Sequence, residues 1–123
     1  MRIIDSHFHW WPRTFLEELR KRPGYPQVEV NDRGGYAYRR RAESKDTLNS
    51  WKEWFDLDDQ LAYMDSLGHE IGVVCSIGPL SVHFSDVPVE QGRDDAIFWN
   101  EEMAAAQRRH PGRVWASAAV PLT

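Results

Sequence analysis

DLDDQLAYMDSLGHEIGVVCS, residues 56–76, reads as a helix running into a buried strand. Leu57, Leu61, Met64 and Leu67 fall at i, i+4, i+7 and i+10, so one apolar stripe of helical period predicts a helix from Asp56 to Leu67. The Asp56 carboxylate suits the N-cap, and Gly68 follows the last apolar residue, where glycine enters the left-handed region without a Cβ penalty. Ile71–Ser76 is apolar on both faces, the pattern of a strand covered on both sides in a parallel sheet. Cys75 within this run reads as an inert buried thiol.

The same alternation extends in both directions. Upstream, Arg2–Asp5 is short and apolar enough for a first strand that Ser6–His9 carries to its end before Pro12 stops it. Phe15–Arg22 has the spacing of a short helix closed by Pro23 and Gly24. Val28–Val30 and Tyr36–Tyr38 alternate across Asn31–Gly35 as an inserted β-hairpin, and the polar stretch Arg41–Ser50 reads as a loop. Downstream, Asp94 or Asp95 can cap a helix reaching Arg109, Pro111 and Gly112 end it, and Val114–Val120 forms a third strand. Alternating strands and helices predict an α/β protein with three parallel strands and connecting helices. The 123 residues fit a single domain, with an insertion at about 13–53.

Composition narrows the function. Hydrophobic residues are 41% and charged residues 28%, so a packed core is expected and wholesale disorder is excluded. Fifteen basic against nineteen acidic residues leave a net charge of -4, which argues against a general binder of nucleic acid or of acidic membranes. No apolar run approaches the roughly 20 residues that span a bilayer, and Met1–Ser6 lacks the character of a signal peptide. With a single cysteine, these features lead to the expectation of a soluble cytoplasmic protein.

The chemistry concentrates in Asp5-Ser6-His7-Phe8-His9. Side chains alternate faces along a strand, so His7 and His9 point the same way, about 6.5–7 Å apart along the chain. Two imidazoles so placed can share one divalent ion. A catalytic zinc site normally has three protein ligands and an open position, so the pair is half a site. Asp5 falls on the same face by the same alternation and is read as a hydrogen-bonding partner rather than a ligand. Trp10, next to His9, is the aromatic residue best placed to line a pocket.

The run Ile3–His9 followed by Pro12 resembles the opening of the amidohydrolase superfamily, in particular the amidohydrolase-related branch that includes aminocarboxymuconate-semialdehyde decarboxylase. Met64–Gly68 before the Ile71–Ser76 strand, Asn100-Glu101, and His110-Pro111-Gly112-Arg113 before the strand ending at Val120-Pro121 are similar to later parts of the same branch. This resemblance implies the N-terminal part of a (β/α)8 TIM barrel, a fold that usually needs about 250 residues. It also implies that His7 and His9 are metal ligands, for zinc or alternatively manganese, and that the remaining ligands come from later strands. An arginine of the insertion would orient the substrate carboxylate; Tyr36-Ala37-Tyr38-Arg39 looks most like that place, which assigns the role to Arg39. Outside the resemblance, the Arg39–Arg41 run reads as a solvated hairpin edge.

His83 follows the second strand and is a candidate lining residue, whereas His69 reads as a turn residue and His110 as a helix C-terminal residue favoured by the dipole. The expected activity is metal-dependent decarboxylation or hydrolysis of a small carboxylated molecule, hence a lyase or hydrolase. Metal-dependent deoxyribonucleases and histidinol-phosphatase-like enzymes share the H-x-H opening, but the acidic balance disfavours the nuclease. With two ligands only, the 123-residue chain alone is expected to be inactive; the alternative is a truncated, non-catalytic remnant that binds only metal or a partner. Self-association into a homodimer is a further expectation.

Overall fold

The structure is a computed structural model and describes residues 3–43, 48–74 and 87–121. Three strands, β1 (Ile3–Phe8), β5 (His69–Val74) and β6 (Val114–Ala116), form a parallel sheet in the order β1-β5-β6. A second sheet is antiparallel and joins β2 (Gln27–Val30), β3 (Tyr36–Arg39) and β4 (Leu48–Asn49) in chain order. Helix α1 (Arg13–Arg20) packs on the second sheet; α2 (Leu57–Ser66) and α3 (Val89–Arg109) pack on β5 and β6 of the first.

Leu57, Leu61 and Met64 of the predicted α2 stripe are buried, whereas Leu67, its fourth member, caps the helix end and is 48% exposed. At its start the Asp56 carboxylate accepts a hydrogen bond from the Asp59 N–H at 3.1 Å, and beyond its end Gly68 has φ +74°. Helix α3 starts earlier than the aspartates suggest. Pro88 precedes it, with its fixed φ suited to a helix start, and Asp95 is withdrawn into the interior at 3% exposure. There it takes Arg22 Nη1 on Oδ2 at 2.9 Å, Arg22 Nη2 on Oδ1 at 2.6 Å and Gln91 Nε2 on Oδ1 at 3.0 Å. Strand β6 stops at Ala116 because the chain turns its polar groups elsewhere. Ala119 exchanges two hydrogen bonds with the Asn100 side chain, at 2.8 and 2.9 Å.

Residues 13–53, expected as an insertion, hold α1, the antiparallel sheet and a 3-10 turn at Lys52–Trp54, and they share the core of the remainder. Trp11, Tyr38 and Phe55 meet edge-on or tilted, and Phe15 stands 5.4 Å from Trp99 of α3, centroid to centroid. The hairpin is in fact three-stranded, since part of the polar stretch read as a loop pairs Asn49 with Ala37.

These observations correct the expectation of a TIM-barrel fragment. The described residues build an open α/β unit of two separate three-stranded sheets, with β1 and β6 as the outer strands of the parallel one. The H-x-H opening and the strand–helix alternation are compatible with any parallel sheet, so they could not distinguish a barrel from this arrangement.

Candidate metal centre

His7 and His9 lie at the carboxyl end of β1, and a bulge sets their direction. Asp5 pairs with Gly72 and Phe8 with Val74, so three steps on β1 face two on β5. The extra residue breaks the simple alternation. Phe8 stays on the side of Gly72, where a Cβ at Gly72 would meet Met64 of α2 at 3.1 Å and the Phe8 ring at 3.4 Å. Asp5 lies on that side too, contrary to the shared face expected from sequence, and its Oδ1 accepts from the His7 backbone N–H at 3.1 Å. This bond holds the bulge.

The two imidazoles meet at their tips. His7 Nε2 and His9 Nε2 are 3.0 Å apart, with ring centroids at 4.5 Å and planes at 86°. Without an ion this is a hydrogen bond in which one neutral ring donates and the other accepts. With one, it fits adjacent coordination positions: nitrogens about 2.05 Å from a common ion stand roughly 2.9–3.4 Å apart for angles between 90° and tetrahedral. His7 is exposed and His9 half-buried, so the nitrogens are reachable from solvent. Among the described residues no group of three His, Cys, Asp or Glu side chains gathers that could hold a metal.

Beside His9 opens a groove of about 560 Å³ between β1, the 3-10 turn and α2. Its floor is apolar, with Phe8, Trp54 and Met64, and Asp5, Glu53 and Asp59 give its rim negative charge. Trp54 therefore occupies the aromatic position for which sequence favoured Trp10. Trp10 is 5% exposed and donates its indole N–H to the Phe55 carbonyl at 3.1 Å, which fixes the chain after β1. Nothing in the spacing of the sequence marks Trp54; it reaches the groove because Trp11 N–H bonds the Trp54 carbonyl at 3.1 Å and folds the 3-10 turn back over β1.

The other candidates are dispersed. Arg39 is exposed at the end of β3, flanking the buried Tyr38, on the sheet that does not carry the histidines. His69 is the first residue of β5 rather than a turn residue, pairs with Ile3 and lines the groove at the amino-terminal end of the strands, away from the carboxyl end that carries His7 and His9. His110 caps α3, with its Nε2 3.5 Å from Asp58 Oδ1. His83 and Cys75 lie outside the described residues.

An open parallel sheet with paired imidazoles at a strand's carboxyl end is the class that fold and site define. No protein-family model and no curated protein matches the chain. Among solved structures, it is similar to Metarhizium anisopliae IDCase in apo form, with a TM-score of 0.75 and 20% identity over 99% of this chain. The chain spans 35% of the length of that protein. The likeness bears on fold, and it replaces the barrel-fragment expectation with an IDCase-like α/β arrangement. No helix among the described residues is long and apolar enough to cross a membrane.

Proposed function

We propose that the chain carries the metal-binding part of an amidohydrolase-related enzyme that decarboxylates or hydrolyses a small carboxylated molecule. The observation that carries this reading is the 3.0 Å approach of His7 Nε2 to His9 Nε2 at the carboxyl end of β1. The structural likeness to IDCase over 99% of the chain supports an enzymatic context. Neutral imidazoles suit zinc, and manganese is the alternative. A bound ion would supply Lewis acidity towards a carboxylate or water. The chain's own contribution is to hold both rings: the bulge and the Asp5–His7 hydrogen bond aim His7, and burial of Trp10 anchors the residue after His9. Substrate would sit outside the strand ends, since the acidic rim of the groove repels a carboxylate. A cytoplasmic setting accords with the single cysteine.

A second reading, metal binding without catalysis, is favoured by the ligand count, because the described residues gather no third metal-binding side chain. Both readings require the ion. Titration with Zn²⁺ or Mn²⁺ should give a complex that His7→Ala and His9→Ala each weaken by at least tenfold; affinity unchanged in both variants would overturn them together. Turnover of a panel of aromatic and muconate-like carboxylates, abolished by His7→Ala, would favour the enzyme over the binding remnant.

A further inference from the structure

We propose that Phe8 is the positioning residue of the histidine pair, clamped between Gly72 of β5 and Met64 of α2 so that the imidazoles on either side of it stay at coordinating distance. The inference rests on reading His7 and His9 as ligands and adds what holds them together. One planar peptide unit joins Phe8 to each histidine, so any movement of its backbone carries both rings. A ligand pair keeps its geometry only where its support is fixed to within about 0.5 Å. The hydrogen bond from the His7 N–H to Asp5 fixes one side of the bulge, and Phe8, in register with Val74, fixes the other.

The clamp is tight on both sides. Gly72 is buried, and a Cβ there would meet the Met64 methyl at 3.1 Å, the Met64 sulfur at 3.3 Å and the Phe8 ring at 3.4 Å. A hydrogen in place of that Cβ lets ring and thioether share the space against β5. The backbone cannot retreat from them, because β5 is the central strand: Gly72 registers with Asp5 on β1 and with Val114 on β6, and its N–H donates to the Arg113 carbonyl at 2.8 Å. Methionine bends easily as a side chain, but Met64, at 3% exposure, is enclosed by the core. Phe8 is half-buried against the same core, and its partner Val74 is fully buried. The ring thereby ties the separation of His7 and His9 to the packing of α2 on β5.

Two measurements on the full chain test this, with the fold checked by far-ultraviolet circular dichroism. One is zinc affinity by calorimetry; the other is the nitrogen-15 spectrum of the metal-free protein, in which the bond between the two Nε2 atoms slows exchange of the proton it holds. Phe8→Ala should weaken zinc binding roughly tenfold, the lower end of what supporting residues contribute, and remove the slowed imidazole N–H signal. Gly72→Ala, whose new methyl group pushes on the ring and the thioether, should weaken zinc binding severalfold and broaden the same signal. Leu16→Ala, in the core of α1 at 2% exposure, lowers stability without touching the clamp and should leave both readouts unchanged. Unchanged readouts in a folded Phe8→Ala, or in Gly72→Ala where Phe8→Ala does not fold, would overturn the clamp and leave the histidines as ligands. Equal losses in Leu16→Ala would overturn it too. An unsubstituted chain that binds no zinc would overturn the proposed function, and the nitrogen spectra would then decide on the clamp by themselves.

Discussion

Gly35 shows how a single atom fixes the second sheet. A Cβ there would lie 2.2 Å from the Ser50 carbonyl oxygen, a backbone atom that cannot move aside cheaply. The close approach lets Ser50, 1% exposed, accept from the Tyr36 N–H at 3.1 Å and donate its hydroxyl to the Tyr36 carbonyl at 2.8 Å. Gly35→Ala should therefore destabilise the protein by about 3 kcal/mol, the upper end of overpacking costs, as read from urea denaturation. The Tyr36 hydroxyl donates to Glu17, and this bond, with Arg20 and Arg13 nearby, holds the Glu17 carboxyl below its usual value of 4.5. Burial, then the Glu17 contact, raises the Tyr36 phenol above 10.0. A lowered carboxyl stabilises the fold fully above its unfolded value, and that stability is lost as pH falls through the folded one; the raised phenol contributes below 10.0 and loses its contribution as pH rises through the folded value. Tyr36→Phe should move the Glu17 carboxyl back towards 4.5 and flatten the acid limb of stability. A Glu17 carbon-13 titration unchanged by that substitution would contradict this account.

At the scale of elements, α2 tests the local signals. Asp56→Ala removes the acceptor for the Asp59 N–H and should cost about 1 kcal/mol, measured by thermal or urea unfolding, while Asp56→Asn should restore most of it. This cap, the Leu57–Met64 stripe and Gly68 were all legible in the sequence because each depends on residues within one or two turns of each other. The H-x-H pair was legible for the same reason. The start of α3 was not, because Asp95 is a good cap by type, and only the long-range pairing with Arg22 shows that its carboxylate is used elsewhere. The β1 bulge was equally hidden. Its extra residue is defined by pairing with β5, over sixty positions away, and it decides that Asp5 faces α2 while His7 does not. Strand β4 has only Leu48 and Asn49, too short for any alternation to show.

For the whole molecule, the Arg22–Asp95 pair joins the antiparallel half to the parallel half. Arg22 follows α1, and Asp95 lies in the second turn of α3. The fork geometry, two guanidinium nitrogens on two carboxylate oxygens, places the halves as well as attracting them. Arg22 keeps a side-chain exposure of 32% against 4% for Asp95, so the two ends of the bridge are not equally desolvated. Removing the arginine leaves a carboxylate buried with Gln91 as its one remaining partner among these three, and the penalty is that of the stranded charge. Arg22→Ala should cost about 3 kcal/mol, the lower end of the range for breaking a buried pair because the arginine is partly solvated. Asp95→Asn in the Arg22→Ala background removes that charge while keeping the side-chain volume, so the double variant should recover at least half of the loss. Urea midpoints for the four proteins of this cycle provide the measurement, with far-ultraviolet and tryptophan signals followed together. Because Phe15 packs on Trp99 just behind the pair, loss of the bridge should also loosen that aromatic contact and make the tryptophan transition precede the far-ultraviolet one. Strictly additive losses, with coincident transitions in Arg22→Ala, would show that packing alone holds the two sheets together.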